Sequence, residues 1–269
     1  LPNLLARLLL ASHSMACLRF ICGVLVTFVA ACASASVIEI DAFIDSTKAD
    51  GHPIKLAQLD HQRLAIDEPS DLTLVGGRLY TVSDAHSKIY GISTTGETED
   101  TIDIEGQDLE ALAFDVEHDQ FLVADEGRAK IWHVDRDGVR HDPIEIADAE
   151  DGNSGIEGLA FDDNGHLFVA KEKDPARIFE LDADGVQLDE KKIHFAEDLS
   201  ALAWNPEDGH LYALSDQDHT LFRLEHDLDV DHAWKLPIEH PEGIAFDGDL
   251  LYVVSDSEER LYTFELRRH

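Results

Sequence analysis

Cysteine is nearly absent: the chain has three, Cys17, Cys22 and Cys32, all before residue 33. The rest of its 269 residues therefore has no disulfide framework, no thiolate metal site and no cysteine nucleophile. Cationic side chains are scarce too, with 21 Lys and Arg against 56 Asp and Glu and a formal charge of −35. So acidic a surface repels phosphate backbones, which excludes nucleic acid as a partner, and it favours cations. Most of the charge is expected to be ordinary solvated surface. No His-Glu-x-x-His pair, no Gly-x-Ser-x-Gly elbow and no glycine-rich phosphate loop occurs. Those gaps exclude the helix-borne zinc, nucleophile-elbow and phosphate-loop chemistries. Beyond residue 36 no amphipathic run of helical length competes with the strand-like segments.

The one long apolar run stands near the start. Met15-Ala-Cys-Leu-Arg19 is followed by apolar residues 20–31, the layout of an export signal and too short a run for a membrane span. Residues 1–35 are expected to be a signal region with Met15 as initiator. Val29-Ala-Ala-Cys32 resembles a lipoprotein box that would place a lipid on Cys32, whereas Ala33-Ser-Ala35 would suit ordinary signal peptidase. The expectation is an exported, monomeric protein of the periplasm or outer envelope surface. It would touch a membrane only through this segment.

What the chain does have is a repeat. Pro69-Ser-Asp-Leu-Thr-Leu-Val75, Leu109-Glu-Ala-Leu-Ala-Phe-Asp115, Ile156-Glu-Gly-Leu-Ala-Phe-Asp162, Leu199-Ser-Ala-Leu-Ala-Trp-Asn205 and Pro241-Glu-Gly-Ile-Ala-Phe-Asp247 are five copies of one line. From Ser70 to Glu110, Glu157, Ser200 and Glu242 the steps are 40, 47, 43 and 42 residues. Each copy is followed by a second apolar run (Leu79-Tyr-Thr-Val-Ser-Asp84, Phe121-Leu-Val-Ala-Asp125 and their kin) and a third (Lys88-Ile-Tyr, Lys130-Ile-Trp). A more polar fourth follows turns such as Asp135-Arg-Asp-Gly138. Short strands at such a period predict an all-β five-bladed β-propeller of four-stranded blades. The last unit stops after three strands, so Gln62-Arg-Leu-Ala-Ile66 is expected to supply its fourth, an N-terminal strand closing the ring. Residues 36–60 are read as a linker or extra edge strand, and 61–269 as the propeller.

Gly155-Ile-Glu-Gly-Leu-Ala-Phe-Asp162 with Leu167-Phe-Val-Ala-Lys-Glu-Lys-Asp-Pro-Ala-Arg177 resembles the SdiA-regulated, YjiK-like family of bacterial envelope proteins. Asp108-Leu-Glu110, Asp198-Leu-Ser200 and Pro241-Glu-Gly243 match that family's other blade openings, over roughly residues 65–266. The resemblance implies a five-bladed propeller, distantly similar to NHL-repeat propellers, with a bound calcium ion and no established catalysis.

In a blade the first strand's start and the second strand's end meet on one face beside the axis. The expected pairs are Ser70 with Asp84, Glu110 with Asp125, Glu157 with Lys171, Ser200 with Asp216 and Glu242 with Asp256. Asp71, Glu126 and Glu172 stand adjacent. So many carboxylates at one mouth repel unless protonated or bridged. A hard ion with many oxygen ligands would relieve them, and Ca2+ tolerates irregular geometry better than Mg2+. The expected ligands are Glu110, Glu157 and Glu242 first, then Asp125, Asp216 and Asp256. Lys171, Glu172, Glu126, Asp84 and Asp71 are expected to meet a bound ligand. Solvated strand ends would look the same in sequence, and Lys171 reads either as a handle for an anion or as an ion-pair partner of Glu157 or Asp125. The leading expectation is a non-enzymatic module recognising a protein or envelope component. The alternative is a Ca2+-dependent hydrolase of a lactone, ester or phosphoester, with Asp125, Glu172 or Asp216 as base.

Overall fold

The computed structural model describes residues 37–44, 54–83, 85–126, 130–146 and 155–268. The export-signal reading with its cysteines, and the site expectation for Asp84, lie outside the described residues.

Five antiparallel sheets stand around an axis as the blades of a propeller. Blade one is β4 (Pro69–Val75), β5 (Arg78–Ser83), β6 (His86–Ile92) and β7 (Thr98–Asp103). Blade two is β8 (Leu109–Asp115), β9 (Gln120–Asp125), β10 (Lys130–Val134) and β11 (Arg140–Ile144). Blade three is β12 (Ile156–Phe161), β13 (Leu167–Lys171), β14 (Arg177–Leu181) and β15 (Gln187–Lys192). Blade four runs through β16 (Ala201–Asn205), β17 (His210–Ser215), β18 (Thr220–Leu224) and β19 (Val230–Lys235), with β2 (Phe43–Ile44) as a fifth, outer strand. Blade five is β20 (Pro241–Asp247), β21 (Leu250–Ser255), β22 (Arg260–Arg268), β3 (Ile54–Arg63) and outermost β1 (Ile38–Asp41).

The closing strand differs from the sequence expectation in extent. Ring closure falls to β3, whose Arg63 pairs with Arg260 and whose Ile54 pairs with Arg268, so it begins well before residue 62. The reason is burial: Leu56, Ala57, Phe264 and Leu266 interlock where β3 and β22 pair, and a strand limited to 62–66 would leave most of β22 unpaired.

The inner strands β4, β8, β12, β16 and β20 pack successively, and β20 returns to β4. Each is sandwiched between neighbouring blades, which is why it is apolar on both faces. Ala111, Ala113, Leu122 and Ala124 of blade two, for example, share a core with Ile156, Leu159, Leu167 and Val169 of blade three. Crowding at the hub dictates the small residues there. A Cβ on Gly158 would lie 2.7 Å from the Leu202 nitrogen, and one on Gly243 would lie 2.4 Å from the Asp71 carbonyl carbon.

Candidate metal centre at the channel mouth

A shared irregularity presents the first carboxylates. In β8 the pairing steps from Leu109 opposite Asp125 to Ala111 opposite Ala124, leaving Glu110 as an extra residue. The same step leaves Glu157 extra between Ile156 and Gly158, and Glu242 extra between Pro241 and Gly243. In blade four Ser200 takes this place: its N–H donates to Leu214 O at 2.9 Å while Ala201 faces Leu214. A β-bulge breaks strand alternation and re-aims a side chain. All three glutamates, with Ser70 and Ser200, line one cavity of about 220 Å3 to which every blade contributes. Glu68, Glu172, Asp198, Asp216 and Asp256 complete its wall, so eight carboxylates face it and no cationic side chain does among the described residues.

Burial, with mutual repulsion, raises several of these carboxyls above their ordinary range. Burial pushes the Glu157 carboxyl well above the usual range, helped by the charges of Glu110, Glu172, Glu126 and Glu242. Burial likewise raises Glu242 to about 9, with Asp216, Asp256 and Glu110 adding to the effect. Burial lifts Glu172 as well, against the pull of Lys173, and lifts Asp216 against the pull of His240.

The second strands correct the expected ring. Asp125 and Lys171 pair with Leu109 and Ile156, at the level where Ser83 and Ser255 pair with Pro69 and Pro241. Both are 1% exposed and neither lines the cavity. Asp125 instead has Arg140 Nη1 at 3.7 Å, and Lys171 Nζ donates to Lys173 O at 2.6 Å. The cavity is lined one residue later, by Glu172, Asp216 and Asp256; Glu126 comes within 4.8 Å of Glu157 and Glu172, and Asp84 has the same place in the sequence. The signal was available: each of these acids lies five residues after the leading apolar residue Leu79, Phe121, Leu167, Leu211 or Leu251. Asp71 is also displaced from its expected role. Completely buried at the hub with φ 20°, it accepts from the N–H groups of Leu72 (2.7 Å) and Leu112 (2.8 Å), which ties blade one to blade two.

Three mouth residues escaped the sequence reading. Glu68, Asp198 and His240 each stand two residues before Ser70, Ser200 and Glu242, as Asp108 stands before Glu110. Asp198 is buried and accepts from the Ser215 hydroxyl and from Gln217 N. His240 places Nδ1 3.3 Å from Asp216 Oδ2. Two trios thereby offer donor atoms mutually within 4.8 Å: Glu126, Glu157 and Glu172, and Asp216, His240 and Glu242. A third, His210, Glu225 and Asp231, lies outside the mouth, and there the Arg223 guanidinium already satisfies Asp231. The mouth's donor set is dominated by carboxylate oxygens, of the kind a hard divalent ion requires, although Lys173 already pairs with Glu172.

Known proteins bear out the architecture. A glutaminyl cyclase from Myxococcus xanthus superposes with TM-score 0.63 at 12% identity, over 80% of this chain and 97% of its own. A chain of a nidogen/laminin complex gives 0.57 at 15% identity, over 86% and 91%. The PQQ-bound aldose sugar dehydrogenase of Streptomyces coelicolor gives 0.51 at 13% identity, over 80% and 98%. Enzymes and a binding partner alike appear among them, so the likeness shows the fold alone. No curated protein matches in sequence. The SdiA-regulated family model, however, matches residues 55–265, and the chain belongs to that family.

Proposed function

We propose that the protein is an exported, calcium-binding propeller of the cell envelope whose metal-bearing mouth recognises a protein or envelope component. One observation carries this reading: three bulge-presented glutamates converge on a cavity walled by eight carboxylates. Glu157 and Glu242 receive no hydrogen bond from any described residue, and burial with neighbouring charge raises both carboxyls, a cost that a bound cation would relieve. Glu110, Glu157 and Glu242 would bind the ion, with Glu126, Glu172, Asp216 and Asp256 around them. Bound there, Ca2+ would supply a localised positive charge in an acidic disc, to which an anionic or carbonyl group of a partner can attach. The basic and apolar segment 15–31 supports export, and Cys32 offers a site for a lipid.

Recognition is favoured over catalysis because the cation that the hydrolase reading needed for a substrate anion, Lys171, is buried, donates to Lys173 O and does not line the cavity. The Asp216–His240 contact is the feature a hydrolase could use, so turnover belongs in the test. Chelator-treated protein titrated with Ca2+ in a calorimeter should show saturable binding, and Glu110→Gln with Glu157→Gln should abolish it. A panel of chromogenic esters, lactones and phosphoesters should show no turnover with Ca2+ bound. Absence of Ca2+ binding would remove the reading, and turnover lost in Asp216→Asn would replace recognition with hydrolysis.

A further inference from the structure

The acids of the mouth fall into two groups of different donor chemistry. Blades two and three supply Glu126, Glu157 and Glu172, which offer oxygen only. The other trio, from blade four and the approach to β20, is Asp216, His240 and Glu242, in which an imidazole joins two carboxylates. Glu110 lines the same cavity as both groups. One divalent ion would offset two of the eight charges that full ionisation of the wall would produce.

We infer that the mouth holds two different cations, a hard one on Glu126, Glu157 and Glu172 and a borderline transition cation of the Zn2+ type on Asp216, His240 and Glu242. Imidazole nitrogen is a poor ligand for Ca2+ and a preferred one for Zn2+, for which two carboxylates and one His form a three-ligand set that leaves a position open. The ring is accessible as well as close. The His240 side chain is 55% exposed, and its ring approaches Asp216, itself a member of the trio, at 3.3 Å. Glu242 sits in its bulge with no hydrogen bond from a described residue, so its carboxylate oxygens are available to an ion. An open position on the second ion would be the natural point of attachment for a partner's carboxylate or imidazole.

The first ion rests on the calcium reading above, narrowed here to Glu157 with Glu126 and Glu172 and with Glu242 given to the second ion, whereas the second trio stands on its own residues. The test is calorimetric titration of full-length, chelator-treated protein with Zn2+, in the absence and presence of saturating Ca2+, with Co2+ absorption reporting nitrogen ligation. Zn2+ is expected to bind with Ca2+ in place, at about one equivalent. His240→Gln should weaken Zn2+ at least tenfold and leave the Ca2+ titration unchanged, while Glu172→Gln should do the reverse. The inference is overturned if Zn2+ merely displaces Ca2+ from one shared site, or if His240→Gln and Asp216→Asn bind Zn2+ as the parent does. Zn2+ binding that depends on His240 in a protein that binds no Ca2+ would sink the calcium reading and uphold the second site.

Discussion

A carboxyl that keeps its proton to about pH 9, as that of Glu242 does, loses more by ionising in the folded protein than in the unfolded chain. The sign follows from linkage. The raised value means that the folded state binds the proton more tightly, so the stabilisation is complete below the unfolded value of about 4.3 and is lost as pH rises through about 9. Glu157, raised by burial and by its acidic neighbours, acts in the same direction. The metal-free protein should therefore show a Tm that falls steadily from pH 5 to pH 9, and Glu242→Gln should flatten that slope. Ca2+ should restore the loss most strongly at the alkaline end, where fewer protons oppose it. A flat profile in the metal-free parent would remove the buried-acid account of the mouth. At this scale the sequence was a partial guide. Glu110, Glu157 and Glu242 were legible because the repeat aligns them, but Asp125 and Lys171 were misassigned because their runs lack the Ser that precedes Asp84, Asp216 and Asp256. The repeat suggested an exception at Lys171; in the structure the lysine is buried and the next residue, Glu172, lines the cavity.

The inner strand is the element that makes the site, through two features that operate together. Its bulge turns a glutamate into the cavity, and the small residue that follows lets the next blade approach closely enough for the glutamates to converge. Gly243 is the sharper case, since an added Cβ would press on the backbone of Asp71 rather than on a side chain that could swing away. Gly243→Ala should cost about 2 kcal/mol by overpacking, seen as roughly 4–8 °C in Tm. Because β4 would be pushed outward, Ca2+ should weaken as well, a loss that denaturation and calorimetry can follow separately. The strands themselves could be read from β-branched and aromatic runs, and the small residues from the repeat. The bulges could not, because a one-residue excess in pairing leaves no mark in a periodic sequence when the copies that carry it, β8, β12 and β20, carry it at the same place.

At the scale of the whole ring, five similar blades need a lock, and the chain provides it by drawing β3 into the blade made by its own C-terminal strands. The lock is mostly apolar, with Leu56, Ala57, Phe264 and Leu266 buried and Trp234 Nε1 donating to Ile54 O at 3.2 Å from the neighbouring blade. Outside it, β1 and β2 lie as edge strands on blades five and four, and Glu39 pairs with Lys55 and Arg267 at the surface. Exposed ion pairs of that kind contribute little, typically under about 1 kcal/mol. The two layers should therefore separate in truncation experiments. Removing residues 1–44 should leave a single cooperative thermal transition and lower Tm by only a few degrees, roughly what one or two kcal/mol would do in a domain of this size. Removing residues 1–63 should leave β22 with a bare edge and should abolish the cooperative transition, because a ring missing one closing strand exposes the cores of two adjacent blades. If the longer deletion still melted cooperatively near the parent Tm, closure by β3 would be dispensable. The convergence of all five blades on the acidic mouth would then have to be held by the inner strands alone.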